Sequence, residues 1–275
     1  MQIEREFTSD FGKEIFELAK SKISKHTVQI FTLDEIDGHI PLGSSFSYKP
    51  IGSGVLISFN DDDYVFSATH VFLDGLKPRL LYIGANGDIF IPIQGFASLI
   101  TQNEIDLAAV KLEPYEIFEI KEFFEFLTVK NINVNHTIEN KGISEYLITG
   151  FPIKSTKFKN YRFISGCYSM VTKLAKDDHY VYYGYHKDKH FLLDYYSPSR
   201  EIPSLKKSKG KKDSDLKGLS GSGLWHYEVI SSRNYGKESF SINYKLIGIL
   251  IENQDSKFKV LAATRIKFLM DFLTF

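Results

Sequence analysis

Residues 216–225 read LKGLSGSGLW, a knot of glycine and serine that gives way to an apolar strand signal. Three readings compete for it: a flexible linker, a turn between two strands, or a turn that holds a serine out to react. The choice bears on the fold as much as on the chemistry, and it depends on what else the chain carries. The α/β-hydrolase elbow G-x-S-x-G does not apply. Ser220 has Gly218 two places before it but Ser222 two places after it, and Ser222 has Ser220 two before. What fits is G-x-S-G followed by a small residue and then a strand.

Outward from this turn the pattern is one of short strands. β-rich runs fall at 26–33, 51–59, 63–70, 79–84, 88–93 and 106–112, and again at 145–151, 161–174, 179–186, 190–196, 223–229, 242–252 and 257–266. Turn signals separate them, among them Asp-Gly at 37–38 and 74–75 and Asn-Gly at 86–87. Residues 10–24 suit a helix, with Asp10 as its cap and Phe11, Ile15, Leu18, Ala19 and Lys22 on one face. Residues 113–140 break the strand rhythm and read as a connector, and KFLMDFLTF (267–275) suits a short closing helix. The expected fold is all-β: two six-stranded barrels with an N-terminal and a short C-terminal helix, not a parallel sheet with crossover helices. The expected organisation is a single domain over 1–275, with a first barrel at about 25–115, a connector at 116–143 and a second barrel at 144–266.

Composition narrows the partners. With 275 residues, 43% hydrophobic and 15% aromatic, the chain can bury a sizeable core. Its 34 basic and 34 acidic residues balance, so nothing global points to nucleic acid or a membrane surface. LKKSKGKKDSDLK (205–217) concentrates six lysines. It reads as a solvated loop, as a docking patch for an acidic partner, or as a site that is itself cut; nucleic-acid binding there would carry a steep salt dependence, and the neutral total charge argues against it. The single cysteine, Cys167, excludes an internal disulfide. The N-terminus lacks the apolar core of a signal peptide, and no window approaches the ~18 unbroken apolar residues of a membrane span. The cytoplasm is the expected location.

Two further stretches carry chemistry. In YVFSATHVF (64–72) an apolar strand ends in small residues and then His70, which places the imidazole just past a strand, on a tight or single helical turn. In NEIDLAAVKL (103–112) Asp106 stands immediately before an apolar run, and a carboxylate at such a place needs hydrogen-bond donors. Each stretch alone has a plain structural reading. Together they stand in the order histidine, aspartate, serine, with His70 and Asp106 in the first half and Ser220 in the second.

Here the chain resembles the trypsin-like (chymotrypsin-fold) serine peptidases. The matching pieces are GSGVLIS before the histidine, SATHVF around it, IDLAAVKL around the aspartate, YLITGFP opening the second half, GLSGSGLW around the serine and LIGILIE after it. They span roughly residues 25–265; no single piece is specific, and the six in order are. Without cysteine bridges the chain looks like the bacterial, cytoplasmic or stress-protease side of that family. The resemblance implies a serine endopeptidase working by acyl transfer, with catalytic His70, Asp106 and Ser220, and with the backbone N–H groups of Gly218 and Ser220 as oxyanion donors. It implies a protein or peptide substrate, often one dedicated partner in stress response or antiviral defence, and no cofactor. The competing reading is a catalytically silent trypsin-like domain serving as scaffold or sensor.

The departures from the family pattern matter. Many members have an aspartate just before the nucleophile that pairs with a newly cut N-terminus; here that residue is Leu219, so activation by such a cut is not expected. Ser222 stands where glycine is common and reads as support, not nucleophile, and Gly223 stands where proline is frequent. Ser214, flanked by Asp213 and Asp215, takes the place of the residue at the base of the primary pocket. Ile251 and Glu252 would border that pocket, on a strand edge suited to pairing with extended substrate. Cys167, within ISGCYSM, reads as an inert thiol. No metal-ligand spacing and no P-loop occur.

Overall fold

Asn60 and Asp61, both at positive φ (50° and 64°), fold the chain into its first tight hairpin, and the order of elements follows from turns of this kind. The computed structural model describes residues 10–33, 48–74, 77–78, 80–101, 104–137, 146–159, 162–194, 216–234, 237–254 and 258–274. The chain opens with α1 (Asp10–Ile23). Its buried residues, Ile15, Phe16, Ala19 and Ile23, form one stripe at helical spacing. Three strands follow: β1 (Thr27–Leu33), β2 (Tyr48–Phe59) and β3 (Asp62–Ser67). A single helical turn, α2 (Thr69–Phe72), leads to the short pair β4 (Leu73–Asp74) and β5 (Lys77–Pro78), and then to β6 (Leu81–Ala85), β7 (Ile89–Ile93), β8 (Ala97–Ile100) and β9 (Leu107–Lys111). The connector holds α3 (Pro114–Lys121) and β10 (Leu127–Thr128).

The first-half sheet runs β7-β6-β1-β2-β3-β9-β8, with β10 added in parallel to β2. This differs from the expected six-stranded barrel: the sheet has eight strands, and among the described residues no pairing joins its ends, β7 and β8. β8 has no counterpart among the expected strands. Its half-buried ASLI carries little alternation to betray it, and it exists because it pairs with Leu107–Val110 of β9.

The second half comprises β11 (Tyr146–Gly150), the hairpin β12 (Lys157–Lys159) and β13 (Arg162–Ile164), β14 (Tyr168–Leu174), α4 (Asp177–Tyr183), β15 (His190–Asp194), β16 (Gly223–Asn234), β17 (Lys237–Gln254), β18 (Val260–Arg265) and α5 (Lys267–Leu273). Six strands close into a barrel in the order β11-β14-β15-β18-β17-β16. Ile148, Phe191, Leu193, Leu224, Ile247 and Leu261 fill its interior.

Two expectations need correction here. Of the expected strand 179–186, residues 179–183 are helical, despite their tyrosines. Asp177 and Asp178 occupy the first turn, where the helix dipole favours negative charge. Gly184, at φ +74°, ends the helix in the left-handed conformation. Tyr180 lies buried, and its hydroxyl accepts the Leu192 N–H at 2.8 Å. The segment 161–174 is two strands, not one. Its first part leaves the barrel because the first-half sheet captures it: Phe163 N–H donates to the Gly87 carbonyl (2.6 Å), and Arg162 pairs with Asp88 (2.9 Å).

The two halves share one hydrophobic core, to which both Val55 and Phe66 from the first and Trp225 and Ile249 from the second belong. His26 joins them as well: Nδ1 lies 2.8 Å from the Glu125 carbonyl and Nε2 2.8 Å from the Tyr244 hydroxyl. α1 lies along β17, with Phe11 meeting Phe240 edge-on at 4.6 Å. Among the described residues no helix is long and apolar enough to cross a membrane.

Candidate active site

His70 projects from a turn whose other residues face inward. β3 ends at Ser67, and Val71 and Phe72 of α2 are buried in the core. Thr69 Oγ1 donates to the Leu107 carbonyl (2.7 Å), which clamps the turn onto β9. The imidazole is left half-exposed. Asp106 stands one residue before β9, held by buried Ile105 and Leu107 on either side. Its carboxylate accepts twice from His70: the backbone N–H reaches Oδ1 (3.2 Å), and ring Nδ1 lies 2.5 Å from Oδ2. A carboxylate acceptor places the proton on Nδ1. Nε2 is left with a lone pair and has no hydrogen-bond partner among the described residues.

Ser220 sits at the crest of a turn built by two glycines in the left-handed region, Gly218 (φ +98°) and Gly221 (φ +86°). Leu219 is buried in the barrel interior with Leu224 and Ile148, so the turn is pinned from below. Gly221 N–H donates to the Leu250 carbonyl (2.7 Å), Ser222 N–H to the Leu219 carbonyl (2.9 Å) and Leu250 N–H to the Ser222 carbonyl (2.8 Å). Among the described residues the N–H groups of Gly218 and Ser220 have no acceptor. Ser220 Oγ donates to the Ile251 carbonyl (3.3 Å), and no hydrogen bond joins it to His70. Gly52 lies between the two elements. A Cβ there would stand 2.8 Å from Val71, next to His70, and 3.0 Å from the Ser220 carbonyl.

Ser53, on β2, ties the serine turn to the first sheet, and the sequence reading does not single it out. Its N–H donates to the Ser220 carbonyl (2.9 Å). Its hydroxyl donates to the Gly218 carbonyl (3.0 Å) and accepts the Phe151 N–H (2.8 Å). Its own carbonyl accepts Ser67 Oγ (2.7 Å). Gly221 fits only without a side chain, since a Cβ would lie 1.9 Å from the Ser53 carbonyl and 2.1 Å from Ser67 Oγ. The signal available in the sequence is the pair of small residues flanking Ser53 in GSG.

The remaining candidates divide clearly. Ser222 is fully buried, with Oγ lacking a hydrogen-bond partner and wedged where a Gly150 side chain would be, in keeping with a supporting role. Ile251 is 3% exposed. Its side chain belongs to the core and does not border an open pocket, and only its carbonyl faces Ser220. Glu252 lies on β17 opposite Ala262. Ser214 and residues 205–215 of the lysine-rich segment lie outside the described residues. Cys167 precedes β14, and burial pushes its thiol up to about 12, which keeps it in the unreactive form. Among the described residues no cluster of three His, Cys, Asp or Glu side chains is placed to hold a metal ion. Compared with protein-family models and with curated proteins, the chain matches none.

Proposed function

We propose that the chain is a serine endopeptidase with Ser220 as nucleophile, His70 as general base and acid, and Asp106 as the group that orients the imidazole. The observation that carries this reading is the pairing of His70 Nδ1 with Asp106 at 2.5 Å, which turns the basic Nε2 outward beside a glycine-braced serine turn. In this reading the eight-stranded first-half sheet takes the place of a first barrel. Ser220 Oγ attacks a peptide carbonyl, and His70 takes the hydroxyl proton and returns it to the leaving amine. The N–H groups of Gly218 and Ser220 receive the oxyanion, an interaction that lowers the barrier by ~3 kcal/mol per donor.

The bond from Ser220 to Ile251 supplies a gate. The β17–β18 register slips between Leu250 and Glu252, which leaves Ile251 without a partner on β18. A substrate backbone N–H that donates to the Ile251 carbonyl competes with Ser220 Oγ and releases the hydroxyl toward His70. The same bond also favours a second reading, a silent scaffold in which Ser220 stays turned away. A fluorophosphonate probe separates the two. The peptidase reading expects wild type to be labelled and Ser220→Ala not, with cleavage falling by at least about 10⁴-fold in the variant. Cleavage that survives Ser220→Ala removes Ser220 as the nucleophile. A wild type that neither reacts with the probe nor cuts a peptide library favours the scaffold.

A further inference from the structure

A buried histidine of the second half reaches across to the loop that carries Asp106. His190 opens β15 and is fully buried. It pairs with Thr264 on β18, Thr264 pairs with Ile249 on β17, and Ile249 pairs with Gly223 at the start of β16, directly after the serine turn. Paired residues point their side chains to the same face of a sheet. Ile249 places that face in the core shared by the two halves. From it the His190 ring extends to the first half, where Nε2 lies 3.1 Å from the Glu104 carbonyl. A carbonyl oxygen only accepts, so Nε2 carries the proton and donates.

Both ends of this bond are held. The His190 backbone N–H donates to the His186 carbonyl (2.8 Å), and the Tyr185 ring packs edge-on against the imidazole with centroids 4.8 Å apart. Glu104 has an exposed side chain and a backbone at φ +68°, a conformation uncommon outside glycine. Its carbonyl belongs to the peptide unit that leads into Ile105, and Ile105 is buried immediately before Asp106. That unit is therefore fixed by the core on one side and by His190 on the other, and its plane sets the direction in which the chain enters Asp106.

We infer that His190 is a positioning residue for the Asp106–His70 pair. Its Nε2–H holds the Glu104–Ile105 peptide, and through that peptide the carboxylate that orients the imidazole. His190 itself touches neither His70 nor Ser220. Its part in cleavage rests on the peptidase reading; its hold on Asp106 does not.

The test uses full-length wild type, His190→Met and His190→Gln, each with isotope-labelled histidine. In wild type near neutral pH, the ring nitrogen shifts of His190 are expected to show the Nε2–H tautomer, and the His70 Nδ1–H to exchange slowly with solvent. His190→Met removes the donor and keeps an apolar side chain of similar reach. It is expected to speed that exchange about tenfold and, with a peptide substrate, to lower kcat about tenfold at unchanged KM, because the pair is loosened and not lost. His190→Gln keeps an N–H donor close to the place of Nε2 and is expected to hold both readouts within about threefold of wild type, the residue of an imperfectly matched hydrogen bond. An Nδ1–H tautomer at His190, wild-type exchange in His190→Met, or equal losses in the two variants overturns the inference. The tautomer is read in wild type and decides the matter even if His190→Met does not fold. Tautomer and proton exchange are both measured without cleavage, so a wild type that never reacts with a fluorophosphonate probe removes the peptidase reading and leaves the positioning role standing.

Discussion

Ser53 carries more of the candidate site than its plain surroundings suggest. One buried residue holds the carbonyls of both Gly218 and Ser220, the proposed oxyanion donors, and accepts the Phe151 N–H as well. Ser53→Ala keeps the backbone bond to Ser220 and removes the hydroxyl from two partners. The orphaned Phe151 N–H costs about 1–3 kcal/mol of stability. The loosened turn is expected to lower kcat by about 10- to 100-fold with KM little changed, because misplaced oxyanion donors weaken the transition state more than the ground state. Steady-state kinetics with a short peptide substrate check this, and a rise in KM at constant kcat would instead assign Ser53 to substrate binding. Ser220 and Ser222 show the same logic from the other side. They are chemically identical and two residues apart, and the two glycines at positive φ leave one half-buried at the crest and bury the other completely.

At the scale of elements, the helix α3 depends on one carboxylate. Glu116 is fully buried, yet it accepts the Glu113 N–H (2.7 Å) and the Gln94 N–H (2.5 Å), so it caps its own helix and ties it to the end of β7. Glu116→Ala takes the acceptor from both N–H groups and is expected to cost about 1–3 kcal/mol, whereas Glu116→Gln retains an acceptor and costs less. Urea unfolding of the two variants measures the difference, and equal losses would sink the account. Legibility in the sequence follows the same division between local and distant causes. α1, α5 and most strands are readable because apolar spacing reports which face is buried. The turn at His70 is readable because small residues end the strand before it. α4 is not, because the β preference of its tyrosines gives way to a dipole-matched first turn, a glycine stop and a tertiary bond from Leu192. The β12–β13 hairpin is not, because its partners, Gly87 and Asp88, come from the other half of the chain.

At the scale of the molecule, three histidines held neutral by the fold predict an acid limit. Burial, then His226 and Arg265, push His136 down to about 4, below the ordinary 6.5. His26 and His190 are lowered as well, each chiefly by burial. A depressed histidine is neutral in the fold, so the unfolded chain binds more protons between pH 6.5 and about 4. The stabilisation is complete above that window and is lost as the pH falls through it. Thermal unfolding of wild type is therefore expected to weaken more steeply across this range than that of His136→Gln, and parallel curves would remove His136 as a cause. A different consequence follows from the bonds that Ser53 makes across the interface. The serine turn takes its shape from β2 and from the 151–153 segment as well as from its own barrel, contacts that lie far apart in sequence and form late in folding. In the peptidase reading, a partly folded chain then holds a serine but no nucleophile, and its neighbours are spared until the two halves have docked. The first appearance of probe-reactive Ser220 in a refolding experiment becomes a clock for that docking step.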